Sequence, residues 1–405
     1  MSWEIDTLGT YSKVISGYAF KSDSFRTDNG IPIIKIKNIQ REYVEIDGEY
    51  FVDTSFLSLD PKFHCIKNDI LISLTGSHIT LPNSVVGRVA KYHYDFTSLL
   101  NQRGGKIVVT NPDKLENNYL YYYLCQNEIR IKLAQFGRGG ANQCNISPSN
   151  VESIPIILPP LETQKRIASI LSTYDDLIEN NLKRIKLLEE TAQNIYKEWF
   201  VNFRFPNYEH TEFDAESGLP VGWQKINLYD FVEIKMGFPF KGEDFNEVNI
   251  GKPAIRIRDI PSSWTRTHTT QEVSEEYIVE QGDILIGMDG FFYLDIWRGQ
   301  KGYLVQRVCR IRANEQNLQG FLLESLRQPI SYYEKTISGA TVAHLGAKHL
   351  KEIFINVPKD SQLLEELKVF NRLNSQKINL SNQNQKLKEA RDILLPRLMN
   401  RTIEV

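Results

Sequence analysis

The chain has 405 residues, 41% of them hydrophobic and 24% charged, with a formal net charge of −2. That length supports two or three domains, each with its own core, and the near-neutral balance removes the compositional flag of a nucleic-acid binder without excluding one. No apolar run approaches the ~20 residues needed to cross a bilayer. Met1-Ser-Trp-Glu-Ile-Asp carries acids where a signal peptide carries bases, so a cytoplasmic chain is expected. Cys65, Cys125, Cys144 and Cys309 have no paired spacing for zinc or redox work.

In chain order the sequence is a repeat. Trp3-Glu-Ile-Asp-Thr-Leu8 returns as Trp223-Gln-Lys-Ile-Asn-Leu228, and Gly17-Tyr-Ala-Phe-Lys-Ser-Asp-Ser-Phe25 as Gly237-Phe-Pro-Phe-Lys-Gly-Glu-Asp-Phe245, both 220 residues on. Ile31-Pro-Ile-Ile-Lys-Ile-Lys-Asn-Ile39 matches Lys252-Pro-Ala-Ile-Arg-Ile-Arg-Asp-Ile260. Their alternation of apolar and basic residues predicts a strand with one buried and one cationic face. Asn68-Asp-Ile-Leu-Ile72 and Gly282-Asp-Ile-Leu-Ile286 predict further short strands, and Gln102-Arg103 answers Gln306-Arg307. One helical stretch is expected per copy, Asn117–Phe136 and Gln319–Ile337. Gly140-Ala141 with Ile154-Pro-Ile-Ile-Leu-Pro159, and Gly339-Ala340 with Ile353-Phe-Ile-Asn-Val-Pro358, close the copies at an offset of 199. Mixed strands and helices predict an α+β fold for each.

After each copy the chain runs without glycine or proline, over Glu162–Phe200 and Ser361–Leu395. Ile167, Leu171, Tyr174, Ile178, Asn181, Ile185, Leu188, Ala192, Ile195 and Trp199 alternate steps of four and three, the spacing of a coiled-coil seam. Adding 199 gives Glu366, Phe370, Leu373, Lys377, Leu380, Asn384, Leu387, Arg391, Leu394 and Leu398, a more polar seam. The first helix would span ~58 Å. Two such helices can pair within one chain or support a homodimer; the gapless register favours pairing within the chain. Packed antiparallel, they would set the two globular domains about a pseudo-two-fold axis, the layout of DNA readers with two modules on two half-sites. The expected segments are residues 1–155 and 204–358 as globular domains, with 156–203 and 359–405 as helical spacers. Ile170, Leu177, Leu182 and Tyr196 flank the first seam, available either to a partner or to the globular domains.

Local charge singles out a stretch from Ile296 to Asn314, where Arg298, Lys301, Arg307, Arg310 and Arg312 stand without an acid. Arg130, Lys132 and Arg138 do the same between Ile129 and Val151. DNA contact is expected on the cationic strands and loops that recur in both copies: Lys35, Lys37, Arg103, Arg138, Asn142 and Gln143 in the first copy. In the second they are Arg256, Arg258, Arg298, Arg307 and Thr341. Each is equally readable as a solvated surface side chain. No phosphate-cradling loop, nucleophile elbow or H-E-x-x-H occurs. Glu233-Ile-Lys235 has the acidic-x-Lys pattern of many nucleases, but Lys13, Val14 and Ile15 stand at the matching positions of the first copy. The residues thus suggest binding without catalysis and no resident metal.

Ala141-Asn-Gln-Cys-Asn-Ile146, followed by Ile154-Pro-Ile-Ile-Leu-Pro-Pro-Leu-Glu-Thr-Gln164 and a long helix, resembles the specificity subunit of type I restriction–modification enzymes. Phe200-Val-Asn-Phe203 with Gly218-Leu-Pro-Val-Gly-Trp223 is similar to that family's join to a second recognition domain. The resemblance covers essentially the whole chain. The second copy departs from it, with Val342 at the Gln143 position and Asp360-Ser361 in place of Leu161-Glu162. The resemblance implies a non-catalytic subunit that selects a bipartite asymmetric double-stranded DNA sequence, one half per target recognition domain. It implies two modification subunits docked on the helices, using S-adenosylmethionine, and restriction subunits, where present, using ATP and Mg. A protein-binding scaffold and a self-sufficient nuclease or methyltransferase remain the alternatives.

Overall fold

The computed structural model describes residues 3–46, 48–78, 84–140, 143–337 and 343–405. It is an α+β chain of two compact units, Met1–Asp176 with Lys388–Val405, and Leu177–Leu387. Each unit joins one globular copy to the adjoining parts of both long helices.

In the first unit, strand Glu4–Thr7 pairs antiparallel with Pro155–Leu158, the strand that leads into the first long helix. The central sheet runs in the order Ser12–Ser16, Gly104–Val109, Ile70–Ser73, Val89–Lys91, Glu42–Tyr43. A second sheet contains Ile31–Ile34 and Ser98–Leu100 as parallel neighbours. The core gathers Ile70, Ile72, Ile107 and the helical Tyr119, Leu120 and Leu124 around Ile167 and Leu171 of the first long helix and Leu398 of the second. The strut ends are thus part of the domain's core.

The second unit repeats this plan. Trp223–Asn227 pairs with Phe354–Pro358, and Val232–Met236, Val308–Ala313, Ile284–Gly287 and Leu294–Ile296 form the central sheet. Strand Lys252–Ile255 lies parallel to Gly302–Leu304. Phe321 and Leu322 pack with Ala192, Phe200, Leu367 and Phe370 from the helical segments. Phe200 stacks on Tyr196 at 4.9 Å and meets Trp223 at 5.1 Å, which joins the end of the first helix to the start of the second domain.

The long helices are Leu161–Tyr196, extended by a π turn over Lys197–Val201, and Lys368–Met399. Within each unit their segments pair antiparallel. In the second unit Asn181 Nδ2 donates to Asn384 Oδ1 at 2.9 Å, and Glu189 lies 3.7 Å from Lys377. In the first unit Asp175 meets Arg391 at 2.5 Å. Every seam position is withdrawn from solvent except Glu366, which is exposed. It departs because the expected single helix is two: Ser361–Glu366 ends at Leu367, which is buried in the core, before Lys368 starts the next. Ile170 and Tyr196 pack on the globular domains, whereas Leu177 and Leu182 are 47% and 55% exposed.

Two further expectations change. The first domain's helical stretch breaks at Gln126 into Asn117–Cys125 and Asn127–Gln135, because Gln126 is extended and its side-chain amide donates back to the Tyr123 carbonyl. The apolar–basic strands stop early, at Ile34 and Ile255. In both copies the first basic residue caps, and the second lies on, a 3-10 turn, Ile36–Asn38 or Ile257–Asp259. The cause is the buried polar residue three positions on. Lys35 N–H donates to Asn38 Oδ1 and Arg256 N–H to Asp259 Oδ2, each at 2.9 Å, closing the turn where a strand would have continued.

Candidate nucleic-acid interface

Strands Ile31–Ile34 and Ser98–Leu100 run parallel, so both leave the sheet at the same end. Asn101 N–H donates to Ile34 O at 3.0 Å, which sets the Lys35–Lys37 turn beside the Asn101–Arg103 turn. Leu74 N–H binds Arg103 O at 3.0 Å, and Ile146 N–H binds Leu74 O at 2.9 Å, adding the segment that carries Gln143. Antiparallel pairing of Arg138–Gly140 with Gln143–Asn145, and of the latter with Thr75–Gly76, completes the cluster.

The second unit repeats the three linking bonds of this frame. Val305 N–H donates to Ile255 O, Met288 N–H to Arg307 O at 2.8 Å, and Leu345 N–H to Met288 O at 2.8 Å. Gly17 and Gly237 explain one recurring sequence feature. A Cβ on Gly17 would stand 2.3 Å from Asn101 O, and one on Gly237 would stand 2.0 Å from Val305 O. Only glycine lets the chain lie against these turns.

The cationic side chains are held in different ways. Lys35 Nζ lies over Tyr50 at 3.0 Å and Phe25 at 4.1 Å, and exposed Lys37 pairs with Glu49. Arg256 lies over Phe245, the counterpart of Phe25, and donates to Thr267. Burial, and then neighbouring Arg258, hold the Arg256 pKa below its ordinary value, though a guanidinium stays charged. Its Nε is buried without a partner among the described residues. Arg103, Gln143 and Arg258 are exposed. The side chain of Arg138, together with Asn142 and Thr341, lies outside what the structure describes. Arg298 is turned inward: its side chain is 11% exposed, bound to Asp295 at 2.8 Å, near Glu189 at 3.6 Å, and donates to Pro261 O at 3.3 Å.

Each base of the Arg298–Arg312 run has found an acid. Lys301 pairs with Glu280, Arg307 with Asp289, Arg310 with Glu233 and Arg312 with Asp283. That run is therefore no bare cationic patch; of its bases, Arg307 lies on a turn of the cluster itself. Arg130 is likewise turned inward, donating to the Val86 and Ser84 carbonyls. Glu233 and Lys235, the nuclease-like pair, are committed to Arg310 and Glu276. Burial pushes the Cys309 thiol up to about 12 and raises Cys65 as well, which leaves neither a ready nucleophile. Among the described residues no three His, Cys, Asp or Glu side chains gather as a metal site. No helix of the described residues is long and apolar enough to cross a membrane.

The sequence reading missed Asp289 and His344, which flank Arg307 in space. The chain separates them from it by 18 and 37 residues, so no run or spacing marks them. It also left Gln164 without a role. The buried Gln164 side chain accepts from Glu116 N–H at 2.9 Å and donates to Lys114 O and Pro159 O, tying the helix start to the domain.

The model of the type I restriction modification DNA specificity domain matches this chain twice, over residues 2–190 and 220–389. A putative type I restriction enzyme MjaX specificity subunit from Methanocaldococcus jannaschii is 26% identical over 376 residues, covering 88% of this chain and 83% of its own. The type I restriction enzyme EcoBI specificity subunit of Escherichia coli is 34% identical over 137 residues, 34% of this chain and 29% of that one. The crystal structure of a type I restriction–modification S subunit from M. genitalium shares the fold, with a TM-score of 0.55 at 17% identity over 98% of this chain and 96% of that one. Two matched specificity-domain regions, each running into a long helix, place this chain in the family of type I restriction–modification specificity subunits.

Proposed function

We propose that this chain is the non-catalytic DNA-reading subunit of a type I restriction–modification assembly, with each recognition unit selecting one half of a bipartite asymmetric sequence. The observation that carries this reading is the turn cluster, repeated with the same backbone hydrogen bonds while its side chains differ. A constant frame positions the backbone of DNA, and varied tips specify bases. Lys35, Lys37, Arg103, Arg138, Asn142 and Gln143 are the contacts assigned to one half-site; Arg256, Arg258, Arg307 and Thr341 are those of the other. Arg298, already bound to two acids, acts through the domain's structure.

Its partners are double-stranded DNA and two modification subunits, joined by restriction subunits in assemblies that cleave. S-adenosylmethionine, ATP and Mg act on those partners, and the chain works in the cytoplasm. The long helices set the number of unread base pairs between half-sites and carry the modification subunits, to which Leu177 and Leu182 offer apolar surface. Replacing residues 1–155 by another recognition domain, in the assembled complex, tests the reading. Sequencing of the methylated motif should show one half-site changed and the other kept. Changes on both sides would end the two-module reading, and a complex that binds no DNA would favour a protein scaffold.

A further inference from the structure

We infer that Asp289 and His344 are positioning residues that hold Arg307 as the reader of a guanine in the second half-site, an assignment that rests on the DNA-reading function proposed above. Arg307 sits at the tip of the turn before strand Val308–Ala313, with φ at 72° and its carbonyl fixed by Met288 N–H. Its Nη1 donates to Asp289 Oδ2. The other oxygen of that carboxylate takes a hydrogen bond from His344 Nδ1 at 2.5 Å. Three separate segments are brought together here: the turn, the hairpin after Ile284–Gly287, and the approach to helix Ala347–Lys351. Gly290 N–H donates to Ala343 O at 3.0 Å, so the backbone holds the hairpin and the approach in place.

The exposures give the arrangement its meaning. Asp289 is 20% exposed and Arg307 58%, so the guanidinium is gripped from the protein side and presents its remaining N–H groups to solvent. A planar fork fixed in this way matches the O6 and N7 acceptors of guanine in the major groove. A phosphate contact needs only charge; a carboxylate bonded to the guanidinium, and a histidine bonded to that carboxylate, fix the fork's plane. The first unit lacks the device. Thr75 and Asn145 stand at the Asp289 and His344 positions of the shared frame, and among the described residues no carboxylate pairs with Arg103.

The test uses the full chain assembled with its modification subunits, and duplexes varied one base pair at a time across the methylated motif. Arg307→Lys should keep overall binding while discrimination at one G·C pair of the second half-site falls by about tenfold or more. Asp289→Asn and His344→Ala should lower discrimination at that same pair by a smaller factor and leave the first half-site unchanged. His344→Asn, which retains a donor for the carboxylate, should restore it. Affinity lost evenly at every sequence, with a shallower salt dependence, would make Arg307 a phosphate contact and overturn the assignment. Full discrimination by the isosteric Asp289→Asn variant would overturn it too. Failure of the unaltered complex to bind any DNA would refute the underlying function, a different result from either.

Discussion

The two units fasten the same pair of helices with different chemistry. In the first, buried Arg391 binds Asp175, whose other oxygen accepts the Tyr122 hydroxyl at 2.6 Å. The repeat offset puts Asn374 and Ala192 at those positions in the second unit, and Asn374 Oδ1 is left buried without a partner among the described residues. There the link is Lys377, fully buried beside Glu189; the repeat offset puts Ile178 and Lys388 at the corresponding positions. Gln164 ties the first helix to its domain. In the second unit Asn371 does that work, accepting from Gly320 N–H and donating to Gln316 O. Apolar seams tolerate this drift because they fix distance and register through volume, whereas an ion pair depends on two particular positions. Duplication kept the packing and let the polar links diverge, so the halves are not interchangeable.

The largest effect should come from Glu189→Ala, which leaves Lys377 charged, buried and facing no counterpart on the first helix. A loss of about 3 kcal/mol in denaturant unfolding is expected; an unchanged midpoint would mean that Asp295 and Glu324 carry the lysine instead. The same site gives a pH dependence. Burial holds the Lys377 pKa below its ordinary value, ahead of the opposing pull of Asp295 and Glu189. The unfolded chain then binds that proton more tightly, so this residue's contribution to stability rises with pH from its folded pKa towards ~10.4. Lys377→Met should be more stable than the parent at neutral pH, and that advantage should shrink over this window.

Arg391→Ala should cost about 2 kcal/mol, less than the first change because Asp175 retains the Tyr122 hydroxyl and is partly solvated. Equal losses in the two units would erase the contrast drawn between them. Gln164→Ala should cost somewhat less, about 1–2 kcal/mol, by stranding Glu116 N–H and Lys114 O. Hydrogen exchange should rise first at Lys114–Tyr119. The smallest change in stability is expected for Asn181→Leu with Asn384→Leu. Removing this buried amide pair should raise the melting temperature slightly, while cross-linking along the seam reveals additional helix registers. A single register in that variant would assign specificity to the ion pairs instead.

Periodicity and internal repetition are local properties of a chain, and they were enough to establish the duplicated α+β layout and both helical seams. Even Lys377, Asn384 and Arg391 proved to be buried seam positions, as their register required. The lone exception, Glu366, fails where the helix stops for buried Leu367, a choice made by the packed domain. The candidate interface was legible only as a set of repeated segments. The parallel pairing that brings Lys35 beside the Arg103 turn needs tertiary contacts, as do the buried Asn38 and Asp259 that bend the strands into turns. The charges depended most on the fold. Arg298, Lys301, Arg307, Arg310 and Arg312 look unopposed in sequence, yet strand pairing and helix packing deliver Asp295, Glu280, Asp289, Glu233 and Asp283 to them. A charge acts across a few ångströms of space, and which residues share that space is decided by the folded chain.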